Sequence, residues 1–307
     1  MIIRSIDPND PTVVAATIIN GYDQHPVVTF SGGQDPCCVL DGFTITGGIV
    51  GISCGDASPT IRNCTIESNG PIAIEFLYGY EPTIIDCTIL GSITEVYDPD
   101  HVAFWKLDET DGSIAHDSIG VNDGICDGDP VWQPDGGMVA GALQFDGIDD
   151  YISTDFVLNP AYSRFSVFAW IKGGAPGQVI ISQANGIGNG ETWLGLDAQS
   201  GALMTGLVST PLGRFKPEPL ISESVISDGQ WHHIGFVWDG SYRILYVDGI
   251  EVAKDNAAQN PLKPADGGLY IGANKTLGAG TFFSGLIDDV RIYNQALTTE
   301  QIEVLAQ

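Results

Sequence analysis

"PTIRNCTI" occupies residues 59–66 and "PTIIDCTI" returns at residues 82–89, so one eight-residue phrase is written twice with a cysteine in the same slot. Internal repetition of this kind decides the architecture before any other signal is weighed. Cys64 and Cys87 stand 23 residues apart. A looser copy, "CCVLDGFTI" at 37–45, puts Phe43 in the cysteine slot, 21 residues before Cys64. A fainter one, "AATIING" at 15–21, aligns Ala16 with Phe43. Short β-branched runs precede the phrases: "VVTF" (27–30), "GISC" (51–54) and "AIEF" (73–76). Gly, Asn, Asp and Pro punctuate between them, as strand boundaries require.

A period this short, without helical patterning, describes the coils of a solenoid. Equivalent residues of successive coils stack roughly 4.8 Å apart, so each column must hold side chains that tolerate their own kind. The predicted inward columns are Leu40–Ile61–Ile84, Ile18–Ile45–Ile66–Ile89 and Phe43–Cys64–Cys87. In the third a thiol acts as a small hydrophobe. Over about residues 1–95 the chain resembles the right-handed parallel β-helix proteins of the pectin-lyase-like superfamily.

From residue 101 the vocabulary changes. "HVAFWKLDE" opens a stretch that runs through "GALQFDGIDDYI", "FSVFAWIK", "GQWHHIGFVWDGSYRILYVDGIEVA" and "GGLYIGAN" to "FSGLIDDVRIYNQALTTEQI". Short alternating strands with turn signals every dozen or so residues are the pattern of an all-β sandwich. "VDG" at 247–249 reads as an Asp-Gly hairpin turn of type I′. "TTEQIEVLA" reads as a short helix, with Thr298 and Gln301 spaced as a capping box. In this order the phrases resemble the concanavalin A-like, laminin G-like jelly-roll family. The expected fold is therefore all-β: a parallel β-helix fragment over residues 1–97, then a two-sheet antiparallel jelly-roll over residues 98–307.

The chain carries 39 acidic and 12 basic residues, a formal charge of −27. Such a field repels phosphate backbones and anionic membranes, which excludes nucleic acid as a partner and favours a divalent cation. No run of eighteen apolar residues exists, so membrane insertion is not expected. The sequence opens inside a β-helix coil with no capping element. The expectation is an excerpt from a longer extracellular or cell-surface protein, with any export signal upstream. None of the six cysteines shows a CxxC spacing. Reduced interior packing is the first reading of Cys64 and Cys87, and a disulfide between them the second.

The β-helix fragment offers only two bases among its first 100 residues, Arg4 and Arg62. A lyase acting on an acidic polysaccharide needs a cation and a proton-abstracting base, and a solvated coil face explains Arg62, Glu67 and Asp86 better. Retaining hydrolysis needs two carboxylates about 5–5.5 Å apart, which β-glucanase relatives of the jelly-roll supply from one E-x-D-x-E strand. No such pattern occurs here, and the adjacent His232 and His233 point to opposite faces of a strand. Binding remains. In the β-glucanase branch a last-strand aspartate coordinates calcium in a phrase like "VDWVRVY". The resemblance of "IDDVRIY" (287–293) places Asp288 in that slot, with Asp108 and Asp146 from neighbouring strands as further ligands for a structural Ca²⁺. Asp289, the next residue along the strand, is expected to face away. For sugar, an exposed aromatic platform with hydrogen-bonding neighbours is required. Trp193, beside a Gly- and Asn-rich loop, is the candidate platform, with Arg214 and Phe215 lining the same edge. The function read from these residues is a non-catalytic recognition module for a polysaccharide or glycan, or for a protein ligand. The alternatives are an accessory part of a polysaccharide-degrading enzyme whose active site lies elsewhere, and a structural adhesin.

Overall fold

The computed structural model describes every residue except 23–24, 32–33, 35, 56, 68, 78–79, 97–100, 185–189, 210–217, 257–261 and 307, together with all side chains but those at 77, 95 and 96. Two compact units result, Met1–Asp98 and Pro99–Ala306.

The first unit is built from four coils, each giving one strand to each of three parallel sheets. One sheet stacks Ile2–Arg4, Val39–Asp41, Thr60–Arg62 and Thr83–Ile85. A second stacks Ile18–Asn20, Thr44–Thr46, Thr65–Ile66 and Thr88–Ile89. The third stacks Val28–Phe30, Val50–Cys54, Ile72–Leu77 and Ser92–Val96. The columns run as the repeats require: Leu40 pairs Ile61, Ile61 pairs Ile84, and Ile45, Ile66 and Ile89 lie in register. Leu40, Phe43, Ile45, Ile61, Cys64 and Ile66 are all buried in one core. The first coil departs from the expected alignment by one residue. Ile19, not Ile18, stands opposite Ile45, and Ile18 is 56% exposed. A helix at Pro11–Ala16, capped by the Asp10 carboxylate, precedes that strand and resets its phase. On the outside, the 1%-exposed Asp41 accepts from Arg62 at 3.0 Å, from Asn63 at 2.8 Å and from Arg4 at 3.4 Å. Arg62 therefore ties neighbouring coils together.

The second unit is a sandwich of two eight-stranded antiparallel sheets. The first sheet orders Val131–Gln133, Ala142–Asp146, Ser284–Tyr293, Phe165–Gly173, Trp231–Trp238, Arg243–Val247 and Ile250–Asp255. Ser284–Tyr293 changes partner along one edge. Its first half pairs Ala142–Asp146 and its second half pairs His101–Trp105. The second sheet orders Ile114–Ala115, Gly124–Asp127, Tyr151–Ser153, Leu269–Ile271, Val179–Ala184, Gly190–Leu196, Ala202–Thr205 and Leu220–Val225. Between the sheets lie Trp105, Phe145, Phe165, Trp193, Phe236, Phe283, Ile287, Val290 and Ile292. Asp248 and Gly249 take φ of 52° and 78°, as the type I′ turn demands. The helix Thr299–Leu305 carries the expected capping box and packs Ile302 and Leu305 onto the outer face of the first sheet, against Phe168, Tyr246 and Tyr293.

Candidate functional site

Asp288 sits at the seam where the last strand changes partner. It pairs Trp170 across the sheet and is fully buried. Its Oδ2 accepts the N–H groups of Met138 and Val139 at 2.8 and 2.9 Å, and Asp108 Oδ1 accepts Gly141 N–H at 2.6 Å. The two carboxylates thus clamp one turn, residues 138–141. Its other oxygen, Oδ1, is buried without a hydrogen-bond partner. Burial, followed by the Asp289 charge, pushes the Asp288 carboxyl up to about 9, and burial also raises Asp108.

Asp289 does not face away from Asp288. It adopts φ +50°, and the register with Phe165–Gly173 slips by one residue at this point. The slip is a β-bulge. Ile287 and Val290 both enter the core, so the two residues between them share the outer side. There Asp289 pairs with Arg291 at 2.7 Å, and the Arg291 guanidinium lies 4.6 Å from the Phe104 ring centroid. Lys106 adds a second cation acting on Asp289 and Asp108.

Asp146 is not part of this cluster. It opposes Ser284, at the far end of Ala142–Asp146 from the clamped turn, about 14 Å away at 3.4 Å per residue. Its neighbours are Asp149 and Asp150, and ligand oxygens of the three lie within 4.8 Å of one another. Asp146 Oδ1 accepts Ile148 N–H at 2.7 Å, and Asp150 Oδ2 accepts Asp146 N–H at 2.8 Å. The three carboxylates expected to surround calcium are therefore split. Asp108 Oδ1 and Asp288 Oδ2 are each engaged by turn 138–141, whereas Asp146 lies with Asp149 and Asp150 in turn 146–150.

Trp193 is a core residue, not a platform. It is 0% exposed and meets Phe165 with ring centroids 5.1 Å apart. Register slips between its strand and Val179–Ala184 turn both Trp193 and Leu194 inward. Arg214 and Phe215 lie outside the described residues. The aromatic surface is found elsewhere, on the outer face of the second sheet. Ile152, Leu269 and Ile271 point into the core, which sends Tyr151, Ser153 and Tyr270 outward. The two tyrosine rings are part-exposed and stand 5.5 Å apart at 81°, forming a corner. Phe282, buried behind, braces Tyr151 at 6.2 Å. Asp127 lies opposite Tyr151 in the neighbouring strand and accepts the Ser153 hydroxyl at 3.0 Å. Burial and the Asp127 charge raise the Tyr151 phenol. Strict alternation in "YIS" and "LYI" would have marked both tyrosines as outward.

The second unit carries the family assignment. The chain belongs to the concanavalin A-like lectin/glucanases superfamily, whose Laminin_G_3 model matches residues 146–303. Among solved structures it is similar to domain 4 of AbnA, a GH43 extracellular arabinanase from Geobacillus stearothermophilus, in complex with arabinotriose. The identity is 23%, covering 68% of this chain and 98% of that one, with a TM-score of 0.52. It is also similar to the binding domain of Paraclostridial Mosquitocidal Protein 1, at 16% identity and a TM-score of 0.53. That match covers 67% of this chain and 52% of the other. At these identities the likeness is one of fold. Among the described residues no helix is long and apolar enough to cross a membrane.

Proposed function

We propose that the jelly-roll is a non-catalytic glycan-binding module of an extracellular protein, and that it holds sugar at the Tyr151–Tyr270 corner. One observation carries this reading. Two part-exposed rings at 81° lie beside Asp127 and Ser153, which pairs apolar walls with hydroxyl-binding groups. The arabinotriose bound to the arabinanase domain of like fold supports it, as does that enzyme's extracellular setting. Carboxylates crowd this end of the sheet at Asp127, Asp146, Asp149 and Asp150, so the ligand is an uncharged oligosaccharide, not an acidic one. Calcium enters the proposal at turn 146–150, immediately before Tyr151. There Asp146, Asp149 and Asp150 would hold it, and it would stiffen the rim of the sugar site. The arabinanase likeness also favours a second setting for the same module, as the accessory domain of a polysaccharide-degrading enzyme.

Titration calorimetry with neutral oligosaccharides chosen from a glycan array tests the reading. Tyr151→Ala and Tyr270→Ala should each raise Kd about tenfold, the loss of one aromatic contact of about 1.4 kcal/mol. Trp193→Phe should leave affinity unchanged. Binding that survives both tyrosine replacements would defeat the assignment of the site. Capture of a protein by this face, with no glycan bound, would favour the adhesin.

A further inference from the structure

The β-helix holds two thiol columns of opposite character. Cys54 lies in register between Phe30 and Phe76, is 1% exposed, and has no second thiol beside it in its column. Cys64 and Cys87 instead occupy the same slot of successive coils, next to the Thr65–Thr88 pair. Their Cα atoms stack at one strand spacing, roughly 4.8 Å, inside the roughly 4.4–6.8 Å that a disulfide spans. The two thiols are not equivalent. Cys64 is 2% exposed and turns its Sγ to the carbonyl oxygens of Arg62 at 3.2 Å and Leu40 at 3.8 Å. Cys87 belongs to the last coil, is only half-buried, and receives the Cys64 backbone N–H on its sulfur at 3.4 Å.

We infer that Cys64 and Cys87 form a directional thiol pair that closes a disulfide between adjacent coils, with Cys87 attacking first and Cys64 resolving. The oxidant is a small-molecule disulfide. The Cys87 thiolate attacks one sulfur of oxidised glutathione, forms a mixed disulfide and releases one glutathione thiolate. Cys64 then attacks the Cys87 sulfur and expels the second glutathione thiolate. Two protons leave the cysteines and two electrons reduce the reagent to two glutathiones. The Cys64 hydrogen bonds lower Cys87 to about 7, while the Cys87 interaction and burial hold Cys64 protonated until the attack. The thiolate is the reacting form. Burial pushes Cys54 and Cys126 up to about 12, which keeps both out of the exchange.

The test incubates the whole chain with oxidised glutathione, quenches with acid, alkylates, and maps peptides after cleavage at Arg62, Glu67 and Glu75, which sets residue 64 apart from residues 37, 38, 54 and 87. The expected product joins the Cys64 and Cys87 peptides with the loss of two hydrogens. Exposed Cys37 serves as the positive control for the reagent. Cys64→Ser should trap glutathione on Cys87, and Cys87→Ser should leave Cys64 unmodified. The first step should quicken as pH rises, as the Cys87 thiolate fraction grows. Should Cys64→Ser fail to fold, the wild-type time course supplies the same information, because the Cys87 adduct must precede the cross-link. The inference fails if Cys37 is glutathionylated while Cys64 and Cys87 remain two thiols. It fails equally if Cys64 takes glutathione in Cys87→Ser as fast as Cys87 does in Cys64→Ser.

Discussion

Asp288→Ala removes the one acceptor that satisfies the N–H groups of Met138 and Val139. A buried donor left without a partner costs roughly 1–3 kcal/mol, and these two are part-buried. Relief of the carboxyl's own unfavourable burial offsets part of that, so a net loss of about 2–4 kcal/mol is expected. In a domain of this size that is a fall in Tm of about 5–15 °C. Asp288→Asn keeps an oxygen for both N–H groups and should cost less than about 1 kcal/mol near pH 5. The pH dependence separates the variants further. An acid raised to about 9 from 3.8 holds a proton in the folded state that the unfolded state has released. Its favourable contribution is complete below the lower value and is lost as pH rises through this window. The wild type should therefore lose stability between pH 5 and pH 8 relative to Asp288→Asn, and the variant should match or exceed it at pH 8. Calorimetric melts at both pH values, with and without calcium, give the answer. If Asn proves as damaging as Ala at both pH values, or abolishes a calcium-dependent rise in Tm, then Asp288 is an ionised metal ligand and the clamp reading is refuted.

Arg243 is 1% exposed and forks onto Asp255 at 2.9 and 2.5 Å while also donating to Leu207 and Glu218 carbonyls. Arg243→Met, by urea melts, should cost about 3–5 kcal/mol because Asp255 and two carbonyls lose their partner, and Arg243→Lys should recover little of it. His232 bridges Asp248 at 2.9 Å and Asp228 at 3.1 Å; burial opposes its charge, but the two carboxylates outweigh it and raise its pKa. That stabilisation is complete below 6.5 and fades as pH rises through the folded value, so His232→Gln should flatten the melting profile just above pH 6.5. Calcium at a hundredfold excess over Kd should add about 2.7 kcal/mol, and Asp150→Asn should abolish the rise in Tm while Asp108→Asn should keep it. Identical melting curves in calcium and chelator would remove the ion from the proposed function.

The coils were legible because stacking forces like onto like: the "TI" phrases, repeated with their cysteines, could hardly be aligned in any other register. The first coil slipped by one residue because its strand follows directly on a helix, which leaves its phase to tertiary packing. The sandwich was legible from turn chemistry and alternation, as at Asp248–Gly249. The candidate site was less so. Asp146 and Asp288 read as neighbours only if one strand borders the last strand throughout, and a change of partner halfway along that edge is invisible in composition. Trp193 lies beside a loop in sequence, yet register slips turn it inward onto Phe165. Tyr151 and Tyr270 carried the necessary alternation in short apolar phrases, where tyrosine reads as core.

The bulge at Asp289 bears on what this strand can become. Ile287, Val290 and Ile292 face the core while Asp288, Asp289 and Arg291 face out, so Asp289 is the one supernumerary residue in an otherwise strict two-step alternation. Deleting Val290 or Arg291 would invert every side chain beyond it and drive polar atoms between the sheets. Deleting Asp289 would leave each remaining residue on the side it already occupies. A single codon can thus be lost or gained at this position, adding or removing one negative charge and a kink, without scrambling the interior.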